Sequence, residues 1–243
     1  MRLLVTRPEP DATRTAAALR ARGHAVIVGP LLRIEANPDI DLGAGPYAGV
    51  AISSANALRV LASNPRVGEL TALPLYAVGR RSAEAARAAG FTTVVSADKD
   101  MQALAELIRQ RHTGSVLPLL YVAAEDRAGN LGGALARLGI AVCTVALYRA
   151  VQATAFDPAV RAALEAGTVD GVLHFSRRTA EAYLGCAQAG GLAHDALAPM
   201  QFCISAKAAE PLAAAGAANL KIASHPDEEA MLALIPAADA DGT

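Results

Sequence analysis

Polar side chains follow several short apolar runs of this sequence, at the points where such runs would end as buried strands. The residues concerned are Arg7, Ser53, Ser54, Asn56, Gly79, Ser82, Arg127, Ser176 and Arg177. In open α/β sheets, ligands collect at the carboxyl ends of strands, beside helix N-termini whose free amides favour anions. Arginine adds positive charge at such a place, and hydroxyl groups add hydrogen-bond donors. The pattern therefore indicates a site for an anionic ligand.

Each of these positions also has a purely structural interpretation. Arg7 precedes a turn-forming proline and would then be an ordinary surface arginine. The hydroxyls and the amide of residues 53–56 would cap the next helix, and Ser82 would cap the helix that follows it. Arg127 would pair with the two acidic residues before it, and one arginine of the pair 177–178 would simply be solvated.

Motifs of covalent or nucleotide-dependent catalysis are absent. The sequence has no G-x-S-x-G elbow, no H-E-x-x-H motif, no Walker loop and no G-x-G-x-x-G fingerprint. Nucleotide cofactors are therefore disfavoured. His174 lies inside an apolar run and is expected to be packed rather than catalytic. Tyr148 carries a proton-bearing phenol in a segment expected to join two domains; its structural alternative is an amphipathic residue packed at that junction.

The composition is that of a globular protein without a strong global charge. Of the 243 residues, 53% are hydrophobic and 19% are charged, and the formal net charge is -1, which disfavours nucleic acid as a partner. Apolar runs are too short for a membrane span or a signal peptide, so we expect a cytoplasmic protein that does not bind a membrane. Cys143, Cys186 and Cys203 lie far apart and in or near apolar runs, which suits buried thiols better than disulfides or a metal site. The histidines show no metal-ligand spacing either. A monomer is expected, because no exposed apolar stripe stands out.

An internal repeat divides the chain into four segments in the order A1, B1, A2, B2. The matching pairs are 18–26 with 134–142, 47–58 with 169–180, and 76–90 with 202–216. Such self-similarity indicates an ancient duplication. Each segment alternates short apolar runs with Ala-rich stretches of helical period, which predicts βα units and parallel sheets.

The pattern predicts ten strands and six helices. The strands are predicted at 3–6, 25–28, 49–53, 75–79, 93–96, 119–123, 141–147, 171–175, 201–205 and 220–224. The helices are predicted at 12–23, 81–90, 101–111, 130–139, 179–190 and 206–216. Four helices end at a glycine suited to a left-handed cap, namely Gly23, Gly90, Gly139 and Gly216.

Ten strands suit two sheets of five better than one open sheet. The predicted fold class is α/β, with two doubly wound parallel-sheet domains (flavodoxin-like) joined by a two-stranded antiparallel linker. The predicted boundaries are 1–33 plus 152–236 for domain 1, 36–147 for domain 2, linkers near 30–36 and 146–152, and a frayed tail at 237–243.

Several stretches together resemble the uroporphyrinogen-III synthase family. They are LLVTRP, SSANAL, YAVGRRSAEAARAAGF, ALARLGIAV with VALYRAV, and FSRRTAEAYL, which span the chain from about residue 1 to about residue 235. The resemblance implies two α/β domains joined by a two-stranded ladder, with the active site in the cleft between them. It also implies a hydro-lyase of haem biosynthesis that needs no metal or organic cofactor. The implied substrate is hydroxymethylbilane, received in a transient hand-over from hydroxymethylbilane synthase.

The family mechanism begins with loss of the hydroxymethyl hydroxyl from ring A, which leaves an electrophilic azafulvene. Ring D attacks through its substituted carbon, and the spiro intermediate fragments and recloses with ring D reversed, giving uroporphyrinogen III. Tyr148 aligns with the tyrosine of the family's returning linker strand, which makes it the expected acid. Ser82 stands where the family usually has Thr, and residues 53–56 occupy its T-S-P-N-like stretch. Residues 205–208 replace the usual Gly-x-x-Thr, where Lys207 would supply a charge instead.

Two alternatives to the synthase remain open at this point. One is a non-enzymatic two-domain protein that closes on a small anion, as hinge-type receptors do. The other is a diverged paralogue of the synthase with a regulatory role, which the departure at residues 205–208 would permit.

Overall fold

The computed structural model describes residues 1–37, 40–112, 115–125 and 130–237. The chain forms two compact units: unit 1 is Met1–Arg33 with Val151–Thr243, and unit 2 is Ile34–Ala150. Parallel strands with helices packed against them build both units, so the predicted α/β class is confirmed.

Eleven strands occur among the described residues. They are β1 Arg2–Val5, β2 Ala25–Val28, β3 Leu32–Ala36, β4 Gly49–Ile52, β5 Leu75–Ala77, β6 Val94–Ser96, β7 Leu119–Ala124, β8 Val142–Gln152, β9 Gly171–His174, β10 Met200–Cys203 and β11 Leu220–Ile222. The first sheet has the order β11-β10-β9-β1-β2, and the second has the order β3-β8-β7-β4-β5-β6.

Eleven helices occur in the same part of the chain. They are α1 Asp11–Arg20, α2 Ala55–Leu61, α3 Val67–Leu70, α4 Arg80–Ala88, α5 Met101–Arg111, α6 Leu131–Arg137, α7 Pro158–Glu165, α8 Arg177–Ala189, α9 Ala193–Leu197, α10 Ala206–Ala214 and α11 Glu228–Ala233. None of the helices in the described ranges has the length and apolar character needed to cross a membrane.

The central strands of unit 1 are apolar because both faces of the sheet are covered there. Within β1, Leu4 belongs to one hydrophobic cluster, whereas Leu3 and Val5 belong to the cluster on the opposite face. Alternate residues of a strand point to opposite faces, so a strand covered on both sides reads as a continuous apolar run. This is why β1 could be predicted from the letters LLV.

Each sheet reverses its winding at one strand. In unit 2, β4 pairs in parallel with β5 on one side and with β7 on the other. In unit 1, β9 likewise lies between β10 and β1. Such a reversal is a topological switch point, where the loops leaving neighbouring strands diverge and open a crevice at the carboxyl ends. The two units therefore offer equivalent crevices, one at the end of β4 and one at the end of β9.

Strands β3 and β8 run antiparallel to each other. The amide of Asn37 donates to the carbonyl of Leu147 over 2.8 Å, and that of Ala153 donates to Leu31 over 3.0 Å. The two segments predicted as linkers thus pair. The strand predicted at 141–147 and the linker after it form one continuous strand, which makes β8 longer than the prediction.

The remaining differences concern one strand and five short helices. β3 was predicted only as a linker, so the second sheet has six strands instead of the predicted five. The prediction missed α2, α3, α7, α9 and α11, none of which exceeds eight residues, so too few turns were present to show a helical period. The four predicted capping glycines are confirmed, since Gly23, Gly90, Gly139 and Gly216 have φ values of 84°, 94°, 77° and 90°.

Candidate functional site

The turn after β4 carries three of the predicted binding residues. Ser54 is the N-cap of α2, and its side chain accepts a hydrogen bond from the amide of Asn56 over 3.1 Å. The Asn56 side-chain oxygen accepts from Arg59. Capping, the structural alternative for Ser54, is therefore confirmed, while the hydroxyl of Ser53 before it has a different partner.

That partner is Tyr121, which the sequence did not single out. The Tyr121 hydroxyl donates to Ser53 Oγ over 3.2 Å, and the tyrosine itself is fully buried. Tyr121 lies on β7, the strand that faces β4 across the switch point. Ser53 is only half-buried, so it reaches the crevice from which Tyr121 is shielded.

The turn after β5 exposes backbone rather than side chains. Gly79 is the N-cap of α4 with φ -142° and ψ 165°, and no side chain caps this helix. A methyl group added to Gly79 would meet no atom within 4 Å, so a ligand can approach the first amides of α4. The predicted capping role of Ser82 is wrong, because the helix begins before it and Ser82 lies buried inside its first turn.

Arg7, at the end of β1, is buried. Its guanidinium contacts Asp11 at 3.6 Å and Glu228 at 3.2 Å, and it donates to Thr15 over 3.1 Å. The ring of Phe175 lies 3.9 Å from the guanidinium carbon. The interpretation of Arg7 as an ordinary surface residue is thus wrong, and its charge is matched by carboxylates of its own unit.

The turn after β9 caps its helix fully. Ser176 and Thr179 form a reciprocal capping box at the start of α8, with hydrogen bonds of 3.1 Å in both directions. Arg177 is exposed and pairs with Glu181 at 2.7 Å and with Glu210 at 2.6 Å. This turn therefore offers an anion fewer free donors than the sequence suggests.

The turn after β10 carries Lys207 in an open position. Ser205 caps α10 by accepting from the amide of Ala208 over 3.3 Å. Lys207 lies in the first turn of α10 with an exposed side chain. No carboxylate within the described ranges forms an ion pair with it. Its ammonium group is accordingly well placed to receive an anion.

Tyr148 lies on β8 and lines a cavity of about 440 Å³ within unit 2. Glu35, Asn37, Glu125 and Arg149 are the polar residues around the same cavity. The tyrosine is 6% exposed, with its ring in the hydrophobic cluster of the unit, so its packing interpretation is supported by the structure. Tyr148 is therefore both packed in the core of unit 2 and part of the wall of the cavity.

His174 is packed, as the sequence predicts. The ring is completely buried, and its Nε2 lies 2.8 Å from Oε1 of Gln201. The Gln201 amide nitrogen donates to the carbonyls of Ala196 and Pro199, which leaves Oε1 as an acceptor and assigns the imidazole proton to Nε2. Burial lowers the pKa of His174 to about 4, so the ring is neutral at physiological pH.

Apart from Tyr148 on β8, the predicted residues of the described ranges fall into two groups. Ser53, Ser54, Asn56, Gly79 and Ser82 lie at the ends of the neighbouring strands β4 and β5, and Arg7, Ser176, Arg177 and Lys207 lie at the ends of β1, β9 and β10. Arg127 lies outside the described residues. Prediction missed Tyr121 and Phe175, since neither follows a strand as a polar residue. Knowledge of which strands are neighbours would have been needed to find them.

Two units, each built on a mainly parallel sheet with helices packed against it, define a two-domain α/β protein. The family model described as uroporphyrinogen-III synthase HemD matches residues 13–233. The chain belongs to the uroporphyrinogen-III synthase family. This membership favours the enzyme over the two non-enzymatic alternatives and makes the protein a lyase-type enzyme of haem biosynthesis.

Solved structures of this family share the fold. A uroporphyrinogen-III synthetase from Helicobacter pylori 26695 matches with a TM-score of 0.67 and 19% identity, covering 96% of this chain and 98% of that chain. A mutant uroporphyrinogen III synthase from Thermus thermophilus matches with a TM-score of 0.57 and 16% identity, covering 96% of both chains. No curated protein sequence matches this chain.

Proposed function

We propose that this protein cyclises hydroxymethylbilane to uroporphyrinogen III and inverts ring D in doing so. The observation that carries the proposal is the family match over residues 13–233. The polar strand ends of both units add to it, because they suit a substrate with many carboxylates. The reaction releases one molecule of water and needs no oxidant or reductant.

Substrate carboxylates would be bound at the strand ends. In unit 2, the amides at the start of α4 and the hydroxyl of Ser53 would donate to them, and in unit 1 the ammonium group of Lys207 would pair with one. Ser54, Asn56 and Ser176 would act mainly by fixing the turns, since their side chains are engaged in or beside helix caps. The main catalytic task would be geometric, namely to hold the bilane folded so that ring D attacks through its substituted carbon.

Tyr148 would supply the proton for departure of the hydroxyl group. Its phenol would protonate the hydroxyl as the carbon–oxygen bond breaks, so that water leaves and the ring nitrogen lone pair forms the azafulvene. The spiro intermediate would then fragment and reclose. Ring D would lose a proton on regaining aromaticity, and this proton would restore the phenol of Tyr148.

An isomer analysis tests the proposal. Hydroxymethylbilane is generated in situ, the protein is added, and the oxidised porphyrins are separated by chromatography. We expect the type III isomer to dominate with the wild-type protein. Tyr148→Phe should slow its formation by about 10²-fold or more, because a positioned general acid contributes on that order. Type I isomer alone, formed at the spontaneous rate, would contradict the proposal.

Cytoplasmic location and substrate hand-over from hydroxymethylbilane synthase also belong to the proposal. Hydroxymethylbilane closes spontaneously without inversion, so a direct hand-over would protect it from that side reaction. The hand-over is tested by adding a trap for free bilane to the coupled reaction. If the type III yield falls in proportion to the trap, the substrate passes through solution.

A further inference from the structure

We infer that Tyr121 is a positioning residue for substrate recognition, which holds the Ser53 hydroxyl so that its proton points to a carboxylate of the bound substrate. The inference rests on the proposed function and adds to it a residue that touches no substrate itself. Three observations support it: the register of the strands, the burial of the phenol and the direction of the hydrogen bond.

The strand register brings the two hydroxyls together. Tyr121 pairs with Ala51 across β7 and β4, and Ser53 follows Ala51 by two residues. Residues two apart on a strand share a face, and the diagonal neighbour across an adjacent strand is within reach of an aromatic side chain. The ring of Tyr121 therefore runs along the sheet towards the carboxyl end of β4, where its hydroxyl meets Ser53 Oγ at 3.2 Å.

Burial determines which of the two oxygens donates. The side chain of Tyr121 has no exposure to solvent, and within the described ranges Ser53 is its hydrogen-bond partner. If Tyr121 only accepted from Ser53, its own proton would be left buried without an acceptor, which is unfavourable. The phenol therefore donates, and Ser53 accepts.

A serine hydroxyl that accepts from Tyr121 retains its own proton for a second bond. Because Ser53 is half-buried at the switch point of unit 2, this proton is available to a group that enters the crevice. The ligand chemistry that fits is a carboxylate oxygen, an acceptor without protons of its own. Tyr121 thus makes Ser53 a preorganised donor before the substrate arrives, and nothing has to be reoriented on binding.

The test is a double-mutant cycle with Tyr121→Phe, Ser53→Ala and the double variant. The coupled isomer assay gives kcat and KM for each protein. We expect Tyr121→Phe and Ser53→Ala each to raise KM by about 3- to 10-fold, the net effect of one ordinary hydrogen bond. The double variant should resemble Ser53→Ala alone, since Tyr121 acts through Ser53.

Tyr183→Phe is the matched control. Tyr183 is also fully buried and donates its phenol proton, over 2.9 Å, to the carbonyl of Ala196 in unit 1. Its variant also loses a buried hydroxyl, so thermal stability should fall. Because the partner of Tyr183 is a backbone carbonyl and not a predicted binding residue, KM should stay at the wild-type value. An increase in KM for both tyrosine variants would show a general effect of destabilisation and would overturn the inference.

Two further outcomes would overturn the inference while the proposed function stands. One is an unchanged KM in Ser53→Ala, which is decisive even if Tyr121→Phe does not fold. The other is an additive double variant, which would mean that Tyr121 acts independently of Ser53. A wild-type protein that forms only the type I isomer would overturn the proposed function, and the inference with it.

Discussion

The two switch points of the molecule have the same backbone plan and different side chains. At the end of β4, Ser53 receives a hydrogen bond from a buried tyrosine on the neighbouring strand β7. At the equivalent place after β9, Phe175 covers the buried guanidinium of Arg7, which follows the neighbouring strand β1. In unit 2, the hydrogen bond from Tyr121 leaves the proton of Ser53 for the proposed ligand. In unit 1, by contrast, the charge of Arg7 is paired with Asp11 and Glu228. Duplicated folds can therefore keep one architecture and assign recognition and rigidity to different copies.

The adjacent strand ends differ in a similar way. The helix after β5 begins at Gly79 without a side-chain cap, and the helix after β10 begins at Ser205 with one. Open amides in unit 2 favour binding through the backbone. In unit 1 the exposed Lys207 provides the charge that the capped turn does not. The comparison predicts that substitutions at unit 1 strand ends mainly affect stability, with Lys207 as the exception.

Arg7→Met should have the largest effect of the stability series. The substitution removes the buried one of the two guanidinium groups that pair with Asp11 and Glu228, while the half-exposed Arg14 still contacts both carboxylates. We therefore expect a loss of about 3 kcal/mol, at the lower end of the cost of breaking a buried ion pair. Urea unfolding measures the loss. Arg177→Met is the control, because its exposed ion pairs are worth only about 0–1 kcal/mol. Equal losses in the two variants would show that the buried network contributes nothing special to unit 1.

His174 should make unit 1 sensitive to acid. Its pKa is lowered to about 4 in the folded state, below the ordinary value of 6.5, so the folded protein favours the neutral ring. The stability is complete above pH 6.5 and falls as the pH decreases towards 4, by up to about 3 kcal/mol. The measurement is the free energy of unfolding between pH 7 and pH 4.5, compared with His174→Leu. If the slope between these pH values is the same in both proteins, the assignment to His174 is wrong.

The helix caps should separate stability from binding. Ser205→Ala removes the cap of α10 and should cost about 1 kcal/mol with little change in KM. Gly79→Ser places a hydroxyl over the open amides of α4, where its extended backbone accepts any residue. We expect Gly79→Ser to retain its stability and to raise KM. Thermal melts and coupled assays of the two variants check this reversal, and equal effects on KM would contradict the contrast between the units.

Lys207→Met should have the smallest effect on stability, within about 0.5 kcal/mol, because the side chain is exposed. Its KM should nonetheless rise, and the increase should shrink at high salt as screening weakens the lost attraction. Lys221→Met, on the exposed edge strand β11, is the matched control. A KM that changes equally in both lysine variants would mean that the substrate responds only to overall charge.

The sequence predicts much of the fold because strands covered on both faces leave continuous apolar runs, as in β1 and β9. Capping glycines such as Gly90 can also be predicted from the sequence, since few other residues adopt a positive φ. The helix α2 was missed because seven residues show too little periodicity. Most predicted strand ends lie within one or two residues of the observed ones, because polar residues interrupt the apolar runs, whereas the end of β8 was missed by five residues.

The contacts of the site were less predictable. Ser53 and Tyr121 are 68 positions apart in the chain, and only the pairing of β4 with β7 brings them together. Arg7 was expected at the surface or on a ligand, yet its charge is balanced by Glu228 from the far end of the chain. Such partnerships depend on strand order and tertiary packing, which the local pattern does not contain.

Carbon labelling tests the central claim, ring inversion by this protein, most directly. Hydroxymethylbilane is prepared with ¹³C at the hydroxymethyl carbon and at the substituted α-carbon of ring D, and the product is examined by NMR. Inversion joins the two labelled carbons, so our account predicts a one-bond carbon–carbon coupling in the product. A cyclised product without that coupling would show closure at the unsubstituted carbon, and it would contradict the proposed function.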